Sequence, residues 1–187
     1  MVFQGDRAMT ERNVGALVVE ESTMAYTAEF RSLMAGFPTG VGIVTAYDTD
    51  GRPWGMTCSS ICSVTLRPPT LLVCLRRGSP TLNAMIDRSA FALNLLHEQG
   101  RRAAELFASG DPDRFQRIRW LAEPDFAGPH LVGDAHAVAD CRVSRQEQVG
   151  DHIVVFGEVY RVTIESAHDA TAPLLYGRRQ YAAWPAG

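Results

Sequence analysis

At 187 residues, with 46% apolar and 21% charged side chains, the chain has the size and composition of one globular domain with a real core. A net charge of −3 supplies no electrostatic footprint for a phosphate backbone, so nucleic acid is excluded as an expected partner. No apolar run approaches the roughly 18 residues of a membrane span, and charges at Asp6, Arg7, Glu11 and Arg12 break any secretory leader. A cytoplasmic location is the expectation.

Residues 1–22 carry no hydrophobic period and read as a flexible N-terminal arm; residues 23–187 read as the folded domain. Phe30, Leu33, Met34 and Phe37 fall at i, i+3, i+4 and i+7, which predicts a helix with one apolar stripe, ended near Gly36. Pro38-Thr39-Gly40 breaks the chain, Val41–Tyr47 reads as a strand, and Asp48–Gly51 as its hairpin turn. The chain returns through Trp54 into Thr57–Val64, expected as a strand of small hydroxyl- and sulfur-bearing residues. Arg67-Pro68-Pro69 punctuates, and Thr70–Arg76 is a continuous apolar strand. Ser79 before Pro80 is an N-cap followed by proline at the first helical position, so a short helix is expected through Ile86.

Phe91–Leu96 reads as a buried strand and Arg101–Phe107 as a second short helix. Ile118–Pro129 is irregular, with Trp120 as a plug. Ala135–Val143 and His152–Ile164 read as long strands joined by a polar turn over Gln146–Gly150, and Pro173–Trp184 adds a last short strand. Six or seven strands with two or three helices make a mainly β chain with flanking helices (α+β), and a sheet of that size tends to close into a barrel.

Three segments could carry chemistry. Thr57–Val64 offers hydroxyls and approachable backbone N–H groups to a flat, polar-edged ligand. The same cluster also suits a tight bend whose hydroxyls bond their own backbone. Arg76-Arg77-Gly78-Ser79-Pro80-Thr81 places a helix N-terminus, two hydroxyls and two arginines together, either as a phosphate cradle or as an ordinary cap with solvated arginines. His152, after Gly150-Asp151, stands at the rim of an apolar strand, where it could bond a ligand amide or phosphate, or be only a surface histidine. Paired carboxylates and a serine nucleophile elbow are lacking, and Cys58, Cys62, Cys74 and Cys141 have no zinc spacing with His97, His130 or His136. Free thiols, no metal, and a bound redox cofactor that carries its own chemistry fit better.

Six motifs in one order, Phe37-Pro38-Thr39-Gly40-Val41, Gly55–Ser60, Ser63–Pro69, Phe91–Leu96, Leu106-Phe107-Ala108 and Gly150-Asp151-His152, resemble the flavin reductase family from about Phe30 to Tyr181. These are the NAD(P)H:flavin oxidoreductases that feed two-component monooxygenases. The resemblance implies a split β-barrel of the FMN-binding type, a homodimer, FMN or FAD as flavin, and NADH or NADPH as hydride donor. It implies a separate oxygenase receiving the reduced flavin. It places Thr57, Cys58, Ser59, Ser60, Ile61, Ser63, Val64 and Asn94 along the flavin, and Gly78, Ser79, Pro80 and Thr81 at its phosphate end. His152 then meets the nicotinamide nucleotide, and hydride transfer by positioning leaves no side chain with a catalytic acid–base role. Cys58 stands where Ala or Val is common, and Arg178-Arg179 enrich a usually less basic tail, leaving nucleotide preference open. Two other readings share the barrel: an oxidase of the pyridoxamine-phosphate type, and a non-catalytic flavin- or haem-binding protein.

Overall fold

The computed structural model describes residues 26–164 and 171–185, so the expected arm over residues 1–22 lies outside them. The chain divides into two compact units. Among the described residues the first holds helix α1 (residues 26–35), the turn after it and Gly177–Arg179. Gly36 and Phe37 donate to Leu33 O and Met34 O, which closes the helix, and Arg178 N–H donates to Ala35 O at 2.6 Å. The stripe forms as the spacing predicts, but Phe30, Leu33, Met34 and Phe37 are all exposed.

The second unit is built on one antiparallel sheet. Its strands are β2 (Gly42–Tyr47), β3 (Pro53–Cys58), β4 (Ile61–Leu66), β5 (Pro69–Arg76), β6 (Ala90–Leu96), β7 (Ala135–Val149) and β8 (His152–Ile164). They lie in the order β3-β2-β6-β7-β8-β5-β4. Short β1 (Thr39–Gly40), β9 (Leu174–Gly177) and β10 (Gln180–Ala183) form a small second sheet. Helices α2 (Pro80–Arg88) and α3 (Arg101–Ala108) flank the large sheet.

The expected strand over Thr57–Val64 is two strands. Only Ser59-Ser60 separates β3 from β4, yet these are the opposite edges of the seven-stranded sheet. Two linking residues reach at most about 10 Å, so the sheet must curl until its edges approach at this point. Cys74 N–H on β5 donates to Ser60 O at 3.1 Å and pins the linker there. The edges do not pair with each other, so the sheet stays open where a closed barrel was expected. That is the split-barrel arrangement: mainly β, curled, and unclosed along one seam.

Two further differences concern strand number and turn length. The described residues hold ten strands because the tail supplies two and Thr39–Gly40 supplies another. β7 runs through to Val149, so the turn into β8 is only Gly150-Asp151, with Gly150 at φ +59°.

Both faces of the central strands are buried. Val44, Phe91 and Leu93 face a cluster with Val73, Leu75, Leu82 and Met85, so α2 covers that side. Ile43 and Ala92 face a second cluster with Ala103, Phe107, Leu131 and Leu174 beneath α3. Each fully buried Val, Leu, Ile, Phe or Met side chain among them contributes about 1.5–3 kcal/mol.

Candidate functional site

Local capping places α2. Ser79 is extended, its Oγ accepts from Leu82 N–H at 3.3 Å, and Pro80 follows at the first helical position. Gly78, at φ +79°, makes the turn from β5 into this cap. The register of β5 on β8 sets Arg76 opposite His152, and Arg77 N–H donates to Asp151 O at 2.8 Å. The Gly150-Asp151-His152 turn and the Arg76–Ser79 loop are therefore one structural unit, although Arg77 and Asp151 are 74 residues apart in the chain. His152 is exposed, with Nδ1 2.8 Å from Asp151 Oδ1, which fixes the ring and leaves Nε2 as its outer nitrogen. The His152 hydrogen bond holds the Asp151 carboxyl below the ordinary carboxylate range.

Beside this loop lies a cleft of about 760 Å³, within the range of small-molecule sites. One wall is Arg52 with β3 as far as Met56, one is the start of α2 with its cap at Ser79, Pro80 and Thr81, and the third is the end of α3 with the segment after it. Ser79 Oγ lies 3.8 Å from Met56 Sδ, joining the first two walls. Gly55 leaves the room: a Cβ there would sit 2.8 Å from the Phe107 ring. Phe107, Phe115 and Trp120 meet edge-to-face, with centroids 5.1 and 5.8 Å apart, and form an aromatic wall. Sequence reasoning missed this wall. Its signal was the set of aromatics at 107, 115 and 120 on either side of a polar loop: Phe107 reads as the end of a helix and Trp120 as a plug, and Phe115 was not singled out.

The expected flavin residues separate into groups. Ser79, Pro80 and Thr81 line the cleft. Thr57 is half-buried and donates to Ala104 O at 2.6 Å, anchoring β3 to α3. Cys58 is in the core, and burial pushes its thiol up to about 11. Ser59 and Ser60 form the linker between the sheet edges, and Ile61 packs over Gly42. Ser63 lines a separate apolar concavity of about 430 Å³ with Leu71, Leu93 and Val159, and Val64 is exposed on the same strand. Asn94 is fully buried with its amide spent: Nδ2 donates toward Ile43 O, Thr45 Oγ1 and Pro129 O, and Oδ1 accepts from Leu131 N–H. It braces the wall and offers a ligand nothing.

The residues present fit a phosphorylated, ring-bearing group. A helix N-terminus with a hydroxyl cap and a glycine approach suits a phosphate, and the cleft beside it has aromatic faces and no acidic lining. Among the described residues no helix is long and apolar enough to cross a membrane.

The flavin reductase like domain model matches residues 34–185. A flavin reductase (NADPH) from Lentzea aerocolonigenes is 52% identical over 157 residues, covering 84% of this chain and 89% of the relative. A flavin reductase (NADH) from Kitasatospora aureofaciens is 44% identical over 158 residues, covering 83% and 81%. Among solved structures, a homologue of nitrilotriacetate monooxygenase component B from Mycobacterium thermoresistibile superposes with a TM-score of 0.79 at 31% identity, covering 87% of this chain and 89% of that one. Fold, site geometry and relatives agree: the chain belongs to the flavin reductase like domain family.

Proposed function

We propose that the protein is an NAD(P)H-dependent flavin reductase that works on FMN or FAD and hands the reduced flavin to a separate oxygenase. The observation that carries this is the hydrogen-bonded union of the Gly150-Asp151-His152 turn with the β5–α2 loop, beside a cleft opened by Gly55. When bound, the flavin ring supplies the redox chemistry, accepting hydride from the nicotinamide. The chain's own work is alignment and exclusion of water. Ser79 and the start of α2 hold the phosphate end, His152 holds the dinucleotide, and the aromatic wall keeps the cleft apolar. Flavin added to the purified chain should make it oxidise NADH or NADPH, read at the nicotinamide absorbance. No oxidation of either with FMN or FAD would overturn the reading.

Two substitutions test the assignments. His152→Ala should raise the KM for NAD(P)H about fivefold, one hydrogen bond from a partly exposed group, while leaving flavin affinity near wild type. An unchanged KM beside a large loss of flavin affinity would reassign the residue. Ser79→Ala should weaken FMN by about 1 kcal/mol and riboflavin hardly at all, because only FMN carries the phosphate. Equal losses for both would make Ser79 a helix cap only.

The working unit is a homodimer. Leu131 is fully buried, and Phe126 is half-buried and stacked on His130 with centroids 3.6 Å apart, so neither offers an apolar contact surface. Other apolar groups in the second unit face solvent, with Leu66, Val162 and Ile164 at 81%, 58% and 69% exposure beside the Ser63 concavity. Light scattering with flavin present should give twice the 20.5 kDa chain mass. A fully active monomer would remove this part of the proposal. Free thiols at all four cysteines and the use of NAD(P)H support a cytoplasmic setting.

A further inference from the structure

The far end of α2 carries a second cavity, which shares no lining residue with the cleft at Ser79. Its volume is about 480 Å³, and it lies where the Arg88-Ser89-Ala90 corner meets β7 and residues 124–127. Register fixes its cationic rim: Ala90 pairs with Arg142, and Val143 N–H donates to Ser89 O at 2.9 Å. Arg88 and Arg142 both line the cavity, and neither has a carboxylate at ion-pair distance among the described residues. The acidic lining residue, Asp125, is taken by Arg161, 2.5 Å away. Arg88 also suits the negative end of α2, but that role asks nothing of Arg142, which lies on β7 over the Tyr160 ring at 4.8 Å.

The lining also holds a group that the fold leaves unused. Tyr47, the last residue of β2, belongs to it, and the Tyr47 hydroxyl is buried without a hydrogen-bond partner among the described residues. A buried hydroxyl normally finds an acceptor, because leaving it unpaired is costly. Burial and the Asp140 carboxylate push this phenol up, so at neutral pH it is a proton donor. Two unpaired guanidinium groups and one spare donor on a single cavity select an anion. The remaining lining narrows the class. The volume is far more than a lone carboxylate or phosphate fills, and Pro124, Ala90 and Ala127 add apolar surface. Both faces of the Phe126 ring are taken, by His130 at 3.6 Å and Arg161 at 4.4 Å, which leaves its edge. A ring edge packs best on the face of a second ring. We infer that this cavity binds a small aromatic carboxylate, held at its charged end by Arg88, Arg142 and the Tyr47 hydroxyl, with its ring against Pro124 and the edge of Phe126. Such a site needs neither flavin nor nicotinamide.

The full chain is titrated by calorimetry with benzoate, with benzamide and acetate as probes that lack its charge and its ring, and with inorganic phosphate. Benzoate should bind at least about tenfold more tightly than each of the other three, and equally well with FMN present. Replacing both arginines, Arg88→Met with Arg142→Met, should weaken benzoate about tenfold or more, the loss of charge-assisted hydrogen bonds. Tyr47→Phe should weaken it about fivefold, the loss of one neutral donor. These substitutions should leave NAD(P)H oxidation with FMN at the wild-type rate, since none of the three residues lines the cleft. Benzoate bound no better than benzamide or phosphate overturns the inference, as does full benzoate affinity in either variant or displacement of benzoate by FMN. The wild-type comparison of benzoate with benzamide decides by itself should a variant not fold. Absence of NAD(P)H oxidation would remove the reductase reading and leave benzoate binding standing, so the two failures are distinguishable.

Discussion

Asp140→Ala is expected to destabilise the fold by about 3–5 kcal/mol, the cost of breaking a buried ion pair by removing one partner. Asp140 is fully buried and accepts from three donors: His130 Nε2 at 3.0 Å, Arg161 Nε at 2.8 Å and Ala127 N–H at 2.8 Å. Removing it strands the buried His130 ring and frees the Phe126–His130 segment, whose Pro129 carbonyl is in turn bonded by Thr45 and Asn94. For a chain of this size each kcal/mol shifts Tm by about 2–4 °C, so thermal melts should fall by roughly 10 °C. A variant within about 1 kcal/mol of wild type would show that the cluster is not what holds this segment.

The same carboxylate sets an acid limit. Burial pushes Asp140 up, but the hydrogen bonds from His130, Arg161 and Ala127 outweigh it, and the net result is a carboxyl held below its ordinary value. A group lowered on folding contributes stability that is complete above its unfolded value, about 3.9, and is lost as pH falls through the folded value. Melts recorded from neutral pH downward should show a steeper acid limb in wild type than in Asp140→Asn.

What the sequence made legible was local. Ser79-Pro80 specifies a helix start by backbone chemistry alone, and α2 begins there. The continuous apolar runs at Ile43 and Phe91 become central strands because they are buried on both faces. Pairing between distant segments is another matter. Nothing in Cys58-Ser59-Ser60-Ile61 reveals that two adjacent strands belong to opposite sheet edges, because that depends on the five strands between them. β7 extends through Arg145, Gln146, Glu147 and Gln148 because backbone bonds to β8 hold it, and exposed polar side chains give no hydropathy signal of that. His152 was legible as a candidate, but its attachment to Arg77 was not.

Asn94→Ala separates bracing from contact. The resemblance sets Asn94 along the flavin, whereas the geometry makes it the joint between β6, β2 and the segment ending at Leu131. Truncation leaves Leu131 N–H without its acceptor inside the core and removes packed volume, a combined cost of about 3 kcal/mol. The expected result is a lower Tm with the affinity ratio of FMN to riboflavin unchanged, because no amide group reaches a ligand. Asn94→Asp should be worse: it keeps the acceptor for Leu131 but sets a carboxylate against the carbonyls of Ile43 and Pro129. Flavin titrations run well below the lowered Tm then decide between the two roles. An Asn94→Ala protein as stable as wild type, with flavin affinity reduced tenfold, would restore Asn94 to direct contact.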